Sequence, residues 1–469
     1  MRTHCYQESF GFQSLERREV VGRFDGGAIT SDGGGLLLRE VDRRLRLLER
    51  FGGCFRDHRT PQAVEFTARE LVAQRVMALA LGYEDLNDHD ELRGDPLLAV
   101  LAGRADPTGS DRVRVQDRGK ALAGKSTLNR LELSTPEGAA GERYKRIAVE
   151  SEAVDRLLVD IFLEAHPQAP ESITIDLDAT DDPIHGEQEG RFFHGYYRAY
   201  CYLPLYIFCG EHLLGARLRP ANIDASAGTV EELERIVTQI RQRWPEVQIV
   251  IRADSGFCRE AIMAWCEAHD GTYYVLGLAR NARLEKELAP ALAQARALYE
   301  QTQQAARVFE EFGYRTRTSW SCTRRVVGKA EVMALGDNPR FIVTNLAREQ
   351  KAGRDLYEHV YCARGDMENR IKEQQLALFA DRTSAATMRA NQLRLYFSSI
   401  AYTLMVGLRR LGLKGTELAK AQCQTIRLKL LKIGAQVKVT VRKVWVSLSS
   451  AYPHASTFAA IYQQLATVT

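Results

Sequence analysis

No CxxC pair occurs in the 469 residues, and the nine cysteines stand apart at positions 5, 54, 201, 209, 258, 266, 322, 362 and 423. That dispersal argues against a zinc ribbon or a disulfide-stapled framework and predicts reduced thiols in a cytoplasmic protein. Long hydrophobic runs are missing as well. The opening MRTHCYQESF has no apolar signal segment. The most apolar stretch, near Tyr396–Leu408, holds two serines and is too short to span a bilayer, so no membrane partner is expected. Acid is scarce at one end: from Ala385 to Thr469 twelve Lys/Arg face one carboxylate, Glu417, a net +11. The whole chain is +4, which leaves −7 for the rest. Such an end is expected to meet a polyanion, most simply nucleic acid, the alternative being a solvated basic face.

What is present is ordinary globular composition, 45% apolar and 26% charged, in a chain long enough for two to four domains. Residues 1–150 read as mainly helical. AITSDGGGLLLREVDRRLRLLERF opens on a turn and continues as a helix, and Thr60–Leu81 reads as a second one, with Pro following a Thr cap. GYEDLNDHDELRGDPLLAVLAGR reads as a short helical hairpin punctuated by Gly82 and Pro96. Gly119–Ser126, GKALAGKS, matches the phosphate-loop pattern, which would make the chain an ATPase. That motif needs a buried strand directly before it, and the preceding VRVQDR is short and turns polar.

From Ser172 strands are expected: ITIDLD (173–178), a hairpin of CYLPLYIF (201–208) and LLGARLRP (213–220), VQIVIRAD (247–254) and TYYVLGL (272–278). Helices are expected at Thr229–Arg243 and Glu260–His269. Strand, two hairpin strands, helix, strand, helix, strand is the order of an α/β, ribonuclease-H-like mixed sheet whose first and fourth strands are parallel neighbours. Ligands bind such sheets at the carboxyl ends of the parallel strands. There Asp178 and Asp254 would converge, with Asp176 competing for the first place because both side chains point to one face. Two close carboxylates repel unless a cation separates them, and hard oxygen donors without Cys or His favour Mg²⁺ or Mn²⁺. A third acid would complete a two-metal site. Plain helix or turn capping is the alternative role for each acid alone.

The stretch Tyr361–Gln375, YCARGDMENRIKEQQ, spaces Tyr361, Arg364, Glu368 and Lys372 to share one helical face, with Met367, Ile371, Leu376 and Leu378 offered for packing. One carboxylate among two cations and a phenol suits a metal-assisted phosphodiester site, and a solvated helix with i,i+4 ion pairs is the alternative.

The set DAT (178–180), RADSGF (252–257) and Y-x-x-R-x-x-x-E (361–368) resembles the DDE transposases of bacterial insertion sequences with a Tyr-Arg-Glu-Lys-type signature. DATDDPIHG, FFHGYY, ENRIKE, AITSDGGG and GYEDLNDHDELRGDP resemble the insertion-sequence-thirteen-eighty branch. The resemblance implies Asp178, Asp254 and Glu368 as catalytic metal ligands for two ions, with Tyr361 and Arg364 on transposon-end phosphates. The signature's Lys falls where this chain has Gln375, and Lys372, one turn nearer, is the substitute. It further implies metal-dependent cleavage of double-stranded DNA at inverted-repeat ends, strand transfer into target DNA, and a homodimer in a synaptic complex. The site of action would be the bacterial cytoplasm, on the nucleoid. A catalytically inactive DNA-binding relative is the other reading of the same resemblance.

The expected division is a DNA-binding or dimerisation region at 1–150, a catalytic core at 151–284 and 347–384, a β-rich insertion at 285–346, and a basic DNA-binding or dimerisation region at 385–469. In the insertion, Glu285–Gln303 reads as helix. Tyr314–Trp320, RRVVGKAEVMAL (324–335) and RFIVTNL (340–346) read as strands. Trp320 beside Arg324, Arg325 and Lys329 would stack on a displaced base while the cations hold phosphates, or else be a core Trp. Lys429 and Lys432 are expected on DNA phosphates.

Overall fold

The computed structural model describes residues 9–467, so Cys5 and most of the MRTHCYQESF stretch lie outside the described residues. The chain divides into two compact units: Met1–Glu150 with Ala377–Phe379 and Ile400–Thr469, and Ser151–Leu376 with Ala380–Ser399.

The second unit is a mixed α/β layer structure. Its large sheet contains β1 (Ser172–Ala179), β2 (Leu205–Cys209), β3 (His212–Arg217), β4 (Gln248–Ala253), β5 (Thr272–Leu278), β6 (Ala306–Tyr314), β7 (Arg324–Met333) and β8 (Arg340–Thr344). Their spatial order is β3-β2-β1-β4-β5-β8-β7-β6, and the two residues Gly336–Asp337 also pair with β7. β1 lies parallel to β4, and β4 parallel to β5. The expected strand order and the parallel first and fourth strands are therefore observed. The helices of this unit include α1 (Ser151–Glu164), α2 (Thr229–Arg243), α3 (Glu260–Ala268) and α4 (Ala282–Thr302).

Period-two alternation sorts the chemistry from the packing. Ile173, Ile175 and Leu177 of β1, Ile249, Ile251 and Ala253 of β4, and Tyr274 and Leu276 of β5 enter one buried cluster. That cluster also takes Phe162 of α1, Leu233 and Ile236 of α2, Met263 of α3 and Leu284 of α4. Deleting such a side chain to Ala costs about 2–5 kcal/mol, so the face is fixed firmly. The intervening residues Asp176, Asp178 and Arg252 point the other way. On that second face Val275, Val327 and Ile342 pack under Leu356 and Tyr357.

Three local expectations are corrected. Tyr314–Trp320 is not a strand. The strand is β6, which ends at Tyr314, and residues 315–323 turn back into β7. The second N-terminal helix begins at Ala68, not near Thr60: Pro61 opens a separate 3-10 turn, while Thr67 and Glu70 form a reciprocal capping box. Leu376 is exposed, because it falls five residues after Ile371 and so on another side of the helix. The strands of 285–346 extend the large sheet, β8 pairing antiparallel with β5.

The first unit is helical around Ala68–Leu81, most of whose residues are buried. Gly119–Ser126 is preceded by a 3-10 turn, Val115–Asp117, and its Lys125 opens the helix Lys125–Leu133. The strand a phosphate loop requires is not there, which removes the ATPase reading. One feature was not expected: an exposed hairpin, Ser9–Leu15 with Arg18–Arg23, stands as its own two-stranded sheet. The strands Ala435–Val439 and Val444–Leu448 form a second hairpin with Ala28–Thr30 at its edge.

Candidate active site

β1 and β4 are in parallel register with Arg252 beside Asp176 and Ala253 beside Leu177. The next residues along, Asp178 and Asp254, therefore leave the two strands side by side. Asp176 is not free to join them. Arg252 donates to it through Nε at 2.5 Å and Nη2 at 2.7 Å, and both side chains are buried. Asp176 is thus held in a buried ion pair, while Asp178 stands two residues further along β1.

The second face of the sheet is closed by the chain from Leu356 onward. Leu356–Tyr361 is a π-helical turn, Cys362–Arg364 a 3-10 turn, and α5 (Gly365–Leu378) follows as regular helix. Tyr361 and Arg364 accordingly precede the regular helix instead of lying on its face, and such widened turns are frequent at functional sites. Arg364 bridges two acids: Nη2 donates to Glu368 Oε1 at 2.7 Å, and Nη1 lies 3.4 Å from Asp178 Oδ2. The i,i+4 ion pair of the alternative reading is real, but it is built against the strand-end carboxylates.

Electrostatics tie the group together. Burial pushes the Asp178 carboxyl up to about 7, Arg364 pulls it back, and Asp254 and Glu368 push it up again. Asp178 Oδ1 accepts from the Ala179 N–H at 2.9 Å, and Asp254 Oδ1 accepts from the Gly256 N–H at 2.8 Å. Asp254 is thus also a turn cap. Burial works against the Arg364 charge, but Asp178, Tyr361, Glu368 and Asp254 hold its guanidinium above the ordinary range. Tyr361 is half-buried and its phenol is pushed up by burial.

The donor set fits a hard divalent cation chemically, since hydrogen bonding and one shared guanidinium leave two strand-end carboxylates in mutual repulsion. As placed, no three His, Cys, Asp or Glu among the described residues converge closely enough to hold an ion. Arg364 reaches both Asp178 and Glu368 in this arrangement.

Of the other expected residues, Lys372 is exposed on α5, and Gln375 donates to the Asp181 carbonyl at 3.1 Å. The four insertion residues are not gathered here. Trp320 is buried, edge-to-face with Tyr314 at 5.6 Å, with Arg324 5.5 Å over its ring. Arg324 pairs with Glu260 and Glu267, Arg325 with Glu311, and Lys329 with Glu331. The stacking expectation is corrected: Trp320 is buried against Tyr314 and Arg324, and all three cations are held by carboxylates. In the first unit Lys429 is exposed, whereas Lys432 forms a 2.6 Å ion pair with Asp32 and lies over the Tyr83 ring.

Sequence reasoning missed two contributors. Gly277 of β5 lies under the site: a Cβ there would come within 2.5 Å of the Tyr361 hydroxyl and 2.9 Å of the Ser255 amide. A glycine in a buried strand was the available signal. Tyr197, in the turn between strands Phe192–His194 and Ala199–Tyr202, is the second. Its hydroxyl lies 3.4 Å from the Ala179 carbonyl, and burial, Asp181 and Asp178 push its phenol up to about 12. Phe193, Tyr196 and Tyr200 of the same hairpin are exposed. The signal was the aromatic density of FFHGYYRAY.

Comparison with curated proteins gave no match. Among solved structures, the chain is similar to a piggyBac transposase synaptic complex with hairpin DNA, determined by cryo-electron microscopy. The TM-score is 0.38 at 11% identity, over 86% of this chain and 80% of that one, and at that level the likeness carries no argument. No helix among the described residues is long and apolar enough to cross a membrane. The family comparison is decisive: residues 12–469 match Transposase DDE domain group 1, and the chain belongs to the DDE transposase family.

Proposed function

We propose that this chain cuts the inverted-repeat ends of its own element and joins the freed 3′-hydroxyls to target DNA. It would do so as a member of the insertion-sequence-thirteen-eighty branch with a Tyr-Arg-Glu-Lys-type signature. The strand order β3-β2-β1-β4-β5, with β1, β4 and β5 parallel, supports a ribonuclease-H-like core. The observation that carries the reading is the pair Asp178 and Asp254 at the ends of neighbouring parallel strands, facing Arg364 and Glu368.

Asp178, Asp254 and Glu368 are the residues that would hold Mg²⁺ or Mn²⁺, two ions in a complete site. When bound, the ions supply activation of water or a 3′-hydroxyl and stabilisation of the leaving oxygen. The chain's own residues do the rest. Arg364, displaced from Glu368 when the acids close up, presents its planar fork to a non-reacting phosphate. Lys372 adds a point charge one helical turn beyond Glu368. Tyr361, held against Gly277, fixes where the Asp254 turn sits. Arg252 holds Asp176 in a buried pair and out of the way.

Residues 1–150 and 385–469 bind DNA and join two copies in a synaptic complex, acting on the nucleoid in the cytoplasm. The exposed cations offered for phosphates are Lys438, Arg442 and Lys443 on the 435–448 hairpin, together with Lys429. Nicking of supercoiled plasmid carrying the element's ends tests the chemistry. Cleavage should require Mg²⁺ or Mn²⁺ and fall at least a thousandfold, by roughly 4 kcal/mol, in Asp254→Asn. Undiminished nicking by that variant would remove the reading, and metal-independent silence of the wild type would favour an inactive DNA-binding relative.

A further inference from the structure

A cavity of about 720 Å³ in the first unit is lined by arginines from five separate segments between residues 59 and 146. Three carboxylates also line it, and each has a partner: Glu65 with Arg112 at 2.6 Å, Asp117 with Arg93 at 2.7 Å, and Asp90 with Lys125 at 3.5 Å. Arg59 is paired with Asp57 just outside. Four lining arginines remain, Arg114, Arg130, Arg143 and Arg146, none ion-paired to a carboxylate among the described residues. Arg130 and Arg143 lie against the Tyr144 ring at 4.8 and 5.0 Å. Arg93 and Arg146 each bury an Nε–H without an acceptor.

Four uncompensated guanidinia facing one concavity repel each other, and a solvated basic surface would spread them apart. Their fork geometry matches phosphate oxygens. Arg114, Arg130 and Arg143 are exposed at the rim, which suits a ligand that continues past the cavity better than one enclosed by it. We propose that this cavity receives consecutive phosphates of a DNA strand, a second anchoring point separate from the carboxylate site. The proposal rests on the transposase reading for its ligand, while its test does not depend on cleavage.

The test measures binding of the full chain to a fluorescent DNA duplex across a KCl series, wild type against Arg114→Ala/Arg143→Ala. Both side chains are exposed, so the melting curve should be unchanged. Two lost phosphate contacts should lower the slope of log K against log salt by about 1.8, which is about sixtyfold in affinity at 0.1 M salt relative to 1 M. An unchanged slope overturns the proposal. Titration with ATP forms a second arm: if ATP binding is lost in the variant while duplex binding is intact, the cavity belongs to a free nucleotide and the DNA assignment falls. Nicking by Asp254→Asn is scored separately. Should that variant nick DNA normally, the catalytic reading fails while the slope still decides on the cavity.

Discussion

Replacing Asp178 by Asn should make the metal-free protein more stable at pH 8 and leave it no more stable near pH 4. The Asp178 carboxyl is raised from 3.8 to about 7 in the folded state. The unfolded chain therefore releases this proton first, and the folded state loses stability as pH climbs from about 4 to about 7. At 1.36 kcal/mol per pH unit the upper bound on that loss is about 4 kcal/mol. Asn also gives up the attraction of Arg364, which leaves an expected gain of about 1–3 kcal/mol, or several degrees in Tm. The assay is thermal unfolding in EDTA from pH 4 to 8, repeated with Mn²⁺ at pH 8, where the ion should raise the wild type and not the variant. A wild-type-to-variant difference that stays constant across the pH range would refute the claim that burial and two carboxylates crowd Asp178.

Gly277→Ala should push the Tyr361 hydroxyl and the Ser255 amide off their positions. Nicking should drop about tenfold or more with a stability cost of about 1–3 kcal/mol by thermal melting. Trp320→Ala should cost about 3–5 kcal/mol of stability, and any DNA-binding loss should vanish in assays run well below its melting temperature, because that ring is core. Lys438→Ala/Arg442→Ala should lower the salt slope of duplex binding by about 1.8, whereas Lys432→Ala should chiefly destabilise through stranded Asp32.

The catalytic sheet was legible because its signals were local. β-branched runs ended in acids, the helix Thr229–Arg243 had clean amphipathic spacing, and the strand TYYVLGL is observed at its expected bounds. The alternation that buries Ile173, Ile175 and Leu177 also fixes which way Asp176 and Asp178 point. Partners across the sheet were not legible. Nothing near Asp176 in sequence announces Arg252 as its neighbour, and nothing near Trp320 announces Glu260 and Glu267 around Arg324. The same limit applies to Lys432, whose partner Asp32 lies four hundred residues earlier. The helical expectation for Tyr361–Gln375 failed at its first turn, since spacing alone does not separate a π turn from a regular one. The hairpin Ser9–Leu15/Arg18–Arg23 went unread because it has no buried face to impose a clean apolar alternation.

The most direct test is calorimetric titration of Mn²⁺ into the full chain bound to a duplex of the element's end. Two ions per protomer should bind to the wild type, and both Asp254→Asn and Glu368→Gln should lose at least one. Identical uptake by Glu368→Gln and wild type would mean that the helix carboxylate never joins the strand-end pair, and the site as drawn would be wrong.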